Sequence, residues 1–168
     1  YSIICNIYIM RQGSNAKCPK KDDDYSTPKE AFDLLFDHIP RDKWVWSPFF
    51  MNGADLNMPE DIKVIHEDKD FFEYEPDKYD FICDNPPYSI KQKIFERCLS
   101  LNKPFALLVP FDTMERQYMN KIFKTNDVSI IVPHKRYKFN TNKVTMPFKS
   151  VWICVGFGLD RQMIFEYK

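Results

Sequence analysis

"FICDNPPYSI" (residues 81–90) is the stretch on which the fold turns. An apolar run, Phe81-Ile82-Cys83, meets an acid, an amide, two prolines and a tyrosine, and a helix-like segment follows at once. Proline has no backbone N–H to donate and does not sit inside a central strand, so Pro86 and Pro87 end one. The predicted strand, 79–84, therefore stops on a rigid Asn-Pro-Pro-Tyr corner. The corner leaves a side-chain amide, an unencumbered carbonyl and a flat ring at the strand's carboxyl end.

Strand-like and helix-like segments alternate on both sides of this corner. Upstream, "TPKEAFDLLFDHI" (27–39) has a helix start signal: Thr27 as cap, Pro28 in the first turn and Glu30 to close a capping box. Strands are predicted at 43–49 and 62–68. Downstream, 89–101 reads as a helix with Ser89 and Gln92 as its capping box and Ile90, Ile94, Cys98 and Leu101 as its apolar stripe. A strand is predicted at 104–110, and a helix capped by Asp112 at 112–124. Strand-like runs at 128–134, 151–159 and 162–167 close the chain. Continuous apolar strands between capped helices predict an α/β sheet covered on both faces. The helix-poor end predicts an antiparallel C-terminal hairpin. In such sheets ligands bind beyond the carboxyl ends of the strands, where the corner lies.

With 168 residues the chain suits one domain, divided here into a polar lead-in at 1–24 and a domain at 25–168. Net charge is zero, but its two signs are segregated. Glu60, Asp61, Glu67, Asp68, Asp70, Glu73, Glu75, Asp77 and Asp80 crowd one stretch against Lys63, Lys69 and Lys78. "KRYKFNTNKVTMPFK" (135–149) carries Lys135, Arg136, Lys138, Lys143 and Lys149 with no acid. Bases interleaved with Tyr137 and Phe139 suit phosphates and unpaired nucleobases; an ordinary solvated loop is the alternative. Cys5, Cys18, Cys83, Cys98 and Cys154 form no Cys-x-x-Cys pair. They read as free thiols of a reducing compartment (cytoplasm, nucleus or virus-associated, not secreted), with no metal site expected. No apolar run approaches the ~18 residues of a membrane span.

The corner has a chemistry of its own. The Asn85 amide oxygen and the Pro86 carbonyl can accept the two hydrogens of an exocyclic amine, while Tyr88 stacks on the ring bearing it. An aromatic amine is a poor nucleophile because its lone pair is delocalised. Acceptors that draw both hydrogens out of plane favour a tetrahedral nitrogen and stabilise its developing positive charge.

In this order the segments resemble S-adenosylmethionine-dependent adenine-N6 DNA methyltransferases of the short phage and virus type. "YSTPKEAFDLL", "VWSPFFMNGAD", "VIHEDKDFF", "DNPPYS", "KPFALLVP" and "FNTNKVTMPFKSVWICVGF" carry the resemblance across roughly 25–157. It implies a Rossmann-like class I methyltransferase sheet, mostly parallel, with helices on both faces. It implies catalysis by Asn85, Pro86, Pro87 and Tyr88 on an adenine rotated out of a duplex. It places S-adenosylmethionine against Tyr25, Thr27, Pro28, Ser47, Pro48, Gly53, Asp70 and Phe71, with its ribose on Glu67 or Asp68. It makes Lys135, Arg136, Lys138, Phe139 and Lys143 substrate-binding, Phe139 as a second aromatic wall.

Two departures accompany it. The first cofactor loop has Ser47 where the family usually carries an acid, and only Gly53 of the usual glycines. No segment is long enough for a target-recognition insertion, so a homodimer, a partner subunit or low sequence specificity is expected to make up for it. A methyltransferase fold that serves as a non-catalytic scaffold or nucleic-acid-binding subunit is the second function, and RNA the second acceptor.

Overall fold

A computed structural model describes residues 26–50, 56–139 and 148–167. Among the described residues, seven strands form one sheet in the order β2-β1-β3-β4-β6-β5-β7. They are β1 (Trp44–Trp46), β2 (Lys63–Ile65), β3 (Phe81–Asp84), β4 (Phe105–Pro110), β5 (Val128–Val132), β6 (Ser150–Val155) and β7 (Met163–Phe165). β2, β1, β3 and β4 run parallel. β6 lies antiparallel between β4 and β5, and β7 joins β5 in parallel. This is a Rossmann-like α/β sheet, parallel through β2, β1, β3 and β4, with helices on both faces. β5 and β6 form the antiparallel hairpin, and its return strand is interior to the sheet rather than at its edge.

Alternation along the strands sends successive side chains to opposite faces. On one face Trp46, Ile82, Leu107, Val109 and Ile153 pack beneath two helices, α2 (Lys91–Ser100) and α3 (Gln117–Thr125), which contribute Ile94, Phe95, Met119 and Ile122. On the other, Val45, Phe81, Cys83, Leu108 and Trp152 pack against Ala31, Phe32, Leu35 and Phe36 of α1 (Lys29–Phe36). Trp152 holds α1 by donating its indole N–H to the Ala31 carbonyl at 2.8 Å. β4 is buried at every position, which is why its sequence shows no period of two.

The three helices of the described residues begin later than their caps predict, and none of them has a side-chain cap bond. Pro28, not Thr27, occupies the cap of α1, which ends before His38. Thr27 is buried, and its carbonyl accepts from Asn57 Nδ2 at 2.8 Å. Tyr88–Ile90 and Phe111–Glu115 are 3₁₀ turns that precede α2 and α3. Gln92 bonds forward to Glu96 rather than back to Ser89, and Asp112 pairs with Arg116 at 3.5 Å. Tertiary contacts outweigh cap propensity here, as they do for most short helices. Cys83, Cys98 and Cys154 are buried free thiols.

Candidate functional site

β1 lies between β2 and β3, so the chain leaves β1 in one direction and later returns on its other side. The crevice at the carboxyl ends of β1 and β3 is the topological switch point, where ligands of doubly wound sheets sit. The sequence places Ser47-Pro48-Phe49-Phe50 after β1, His66 to Phe72 after β2, and Asp84 to Tyr88 at the end of β3. Among the described residues, Ser47, Pro48, Glu67, Asp68, Asp70, Phe71 and the four corner residues thus reach one end of the sheet. Tyr25, Gly53 and Lys143 lie outside the described residues, as does the 1–24 lead-in.

The ladder between β3 and β4 runs to the Asp84–Leu107 pair and stops where Pro86 and Pro87 remove the donors. Asn85 and Pro86 are buried, and Pro87 and Tyr88 half-buried. The Tyr88 ring meets Phe148 edge-on at 5.9 Å, and Lys91 Nζ lies 5.9 Å from its centroid. Phe148 was not among the residues singled out from sequence, although it falls within the late segment. Phe139 is buried beside Tyr137, their rings 6.5 Å apart, in the cluster that packs on α1.

Asp84 was also missed. Its Oδ2 accepts from Ser47 Oγ and from the Phe49 N–H, each at 2.8 Å, and its Oδ1 accepts from the Asn85 N–H at 2.7 Å. The carboxyl group is pushed up to about 6, above all by burial, although these three bonds and the nearby His66 pull it down. The signal for it was a lone acid closing an apolar strand directly before the corner. Ser47 is wholly buried, so its hydroxyl serves this carboxylate. Its carbonyl lies 2.8 Å from His66 Nδ1, and the His66 ring packs on Phe50 at 5.0 Å.

After β2, Glu67 Oε2 accepts the Tyr74 hydroxyl at 2.7 Å, a bond that raises the phenol's pKa. Asp68 is exposed. Asp70 shapes its own turn: Oδ1 accepts from the Phe72 N–H and its carbonyl from Glu73 and Tyr74. Phe71, only 2% exposed, is a packed ring against Trp46 at 5.4 Å and Phe49 at 5.2 Å, so it supports the first loop from beneath. Asn57, which follows that loop, bonds Ser26 and Thr27 and so ties it to the segment before α1.

Lys135, Arg136 and Lys138 are exposed, whereas Tyr137 and Phe139 between them are buried. The aromatics anchor this strip to the core and the bases face outward. Lys149 donates to the carbonyls of Pro133 at 3.0 Å and His134 at 3.4 Å, fixing the turn from which the strip departs. Lys135 reaches Glu30 at 4.0 Å.

Carboxylates follow β2, where the sugar hydroxyls of a nucleoside cofactor can be bound, whereas the oxygens of Asp84 are taken up by the protein's own donors. Among the described residues no helix is long and apolar enough to cross a membrane.

No protein-family model and no curated protein matches the chain. Solved structures do, among them a dimethyladenosine transferase from Plasmodium falciparum, at 13% identity and a TM-score of 0.49, with 78% of this chain covered. The chain spans 62% of the length of that protein. Likeness at that depth carries nothing about substrate.

Proposed function

We propose that the protein transfers a methyl group from S-adenosylmethionine to the exocyclic N6 amine of adenine in DNA. The observation that carries this reading is the Asn85-Pro86-Pro87-Tyr88 corner at the switch point, beside the loops that follow β1 and β2. When bound, S-adenosylmethionine supplies a methyl group made electrophilic by its sulfonium. Glu67 or Asp68 would hold its ribose, Asp70 its adenine, and Thr27 and Pro28 its methionine end. Phe71, buried as it is, would act by supporting the loop.

The chain's own contribution is to the amine. Asn85 Oδ1 and the Pro86 carbonyl would take its two hydrogens, localise its lone pair and stabilise the positive charge that builds on nitrogen. Tyr88 would stack on the base, which leaves the duplex to reach it, and Phe148 braces the Tyr88 ring. Lys135, Arg136 and Lys138 would hold phosphates beside the corner. RNA is the second reading, because the corner addresses an amine and a ring face that adenine carries in either polymer.

The test offers labelled cofactor with DNA, RNA and protein acceptors, then identifies the modified atom. Label at adenine N6 of DNA is the expected result. Label in RNA alone selects the second reading, and a chain that transfers nothing and binds no cofactor is a scaffold. A companion prediction concerns the basic strip. Changing Lys135, Arg136 and Lys138 together to Gln should flatten the dependence of log K on log salt by about 2 to 3, at ~0.9 per phosphate contact on duplex DNA. An unchanged slope in a fluorescence anisotropy titration would remove the strip from the interface.

A further inference from the structure

Ser47 opens the first loop, and its hydroxyl donates to an acid at the end of the neighbouring strand. Asp84 and Ser47 face each other across the switch point at 2.8 Å. We propose that Asp84 is a positioning residue that makes the first loop and the catalytic corner one unit. The proposal rests on the function given above and deepens it.

The physical need for such a residue follows from the prolines. β1 and β3 pair as far as Trp46 and Ile82. Beyond that level the loop after β1 contains Pro48, and the corner contains Pro86 and Pro87. None of the three can donate a main-chain hydrogen bond, so the ladder cannot continue to hold the two loops together. Asp84 replaces the missing rungs with its side chain. One oxygen collects the Ser47 hydroxyl and the Phe49 N–H from the first loop, and the other takes the N–H of Asn85 itself. The residue that presents the catalytic amide is therefore held by the same carboxylate as the loop assigned to the cofactor.

All three partners are donors, so the site is built for an acceptor at both oxygens. A carboxylate meets that demand. An asparagine amide meets it at one end only and turns its NH₂ against a donor at the other. Among the described residues, the titratable groups that face the carboxylate are His66, at the end of β2, and the buried thiol of Cys83. Burial of both oxygens explains a carboxyl group that titrates near 6, in the range where its charge can be varied by experiment.

The test combines Asp84→Asn, Asp84→Ser and the transposed pair Ser47→Asp/Asp84→Ser. Melting temperature, cofactor dissociation constant by calorimetry, and kcat against pH are read for each. A corner displaced by about 1 Å loses on the order of 10²-fold in rate, so Asp84→Ser should lower kcat by about that factor. Its cofactor affinity should also fall. The transposed pair should regain at least about tenfold of that kcat, a departure from additivity expected only of groups in contact. Wild type should lose rate as pH falls through 6, a limb that Asp84→Asn should lack.

Folded Asp84 variants that keep kcat within about twofold of wild type and retain the limb would overturn the proposal. So would a transposed pair that recovers melting temperature but not kcat, since that is the behaviour of a merely structural residue. If Asp84→Ser does not fold, Asp84→Asn and the transposed pair decide. A wild type that transfers no methyl group overturns the functional reading, and this proposal with it. A wild type that is active beside unaffected Asp84 variants overturns this proposal alone.

Discussion

Asn85→Ala should slow methyl transfer by about 10²–10³-fold while leaving the protein folded and the cofactor bound. The change removes one of two acceptors assigned to the amine. Deleting a single preorganised group at the atom where charge develops costs ~10²–10³-fold in rate. The backbone N–H of residue 85 would still reach Asp84, and the Pro86 carbonyl is unaltered, so the corner should keep its shape. Stability should change by only about 1 kcal/mol. Single-turnover methylation and calorimetric titration with cofactor check the two halves. Loss of rate with cofactor affinity intact supports the assigned role. Full activity in the variant would mean that the corner is only a turn.

Trp46→Ala should be the most destabilising of the substitutions considered. Trp46 is 2% exposed, and its ring meets Phe71 at 5.4 Å, Tyr79 at 5.1 Å and Tyr74 at 6.2 Å. Truncating a buried aromatic of this size costs about 3–5 kcal/mol. For a domain of this length each kcal/mol is worth about 2–4 °C, so the melting temperature should drop by roughly 10 °C. Trp46 also carries the load of the site, because Phe71 rests on it and Phe49 rests on Phe71. Cofactor affinity should fall further than it does in Asn85→Ala. A melt within a few degrees of wild type would show that the pocket collapses around the deletion.

Stability should also depend on pH through Asp84. A carboxyl group raised by burial contributes most below its ordinary value of about 3.9, and that contribution is lost as pH rises through its folded value near 6. Wild type should therefore lose stability relative to Asp84→Asn between roughly pH 4 and 6, in thermal melts taken across that range. A difference that does not vary with pH would mean that Asp84 titrates as it does in the unfolded chain.

Much of this architecture is a local property of the chain. The apolar run of β4, Phe105 to Pro110, is bracketed by prolines and has no polar face to give it, so it is a strand buried on both sides wherever it lies. Pro86 and Pro87 end β3 without help from any other segment. The corner's own oxygens and ring were legible for the same reason, since they are consecutive residues. The helix starts were not. Thr27, Ser89 and Asp112 have the right side chains for capping, but Thr27 is tied to Asn57, Ser89 and Asp112 lie within 3₁₀ turns, and bonds of about 1 kcal/mol each are readily overruled by packing.

Tertiary structure alone decided what faces what. Ser47 and Asp84 stand 37 residues apart, and only the parallel pairing of β1 with β3 brings hydroxyl to carboxylate. From sequence the first looked like a lost acid and the second like the end of a strand. The sequence singled out Phe139 as the second aromatic wall, but the path of the chain sets Phe139 on the α1 side of the sheet and Phe148, which was not singled out, against the Tyr88 ring. Local chemistry sets where a strand ends and which atoms it leaves exposed there. Partnership across a crevice depends on register, and register is a property of the assembled sheet.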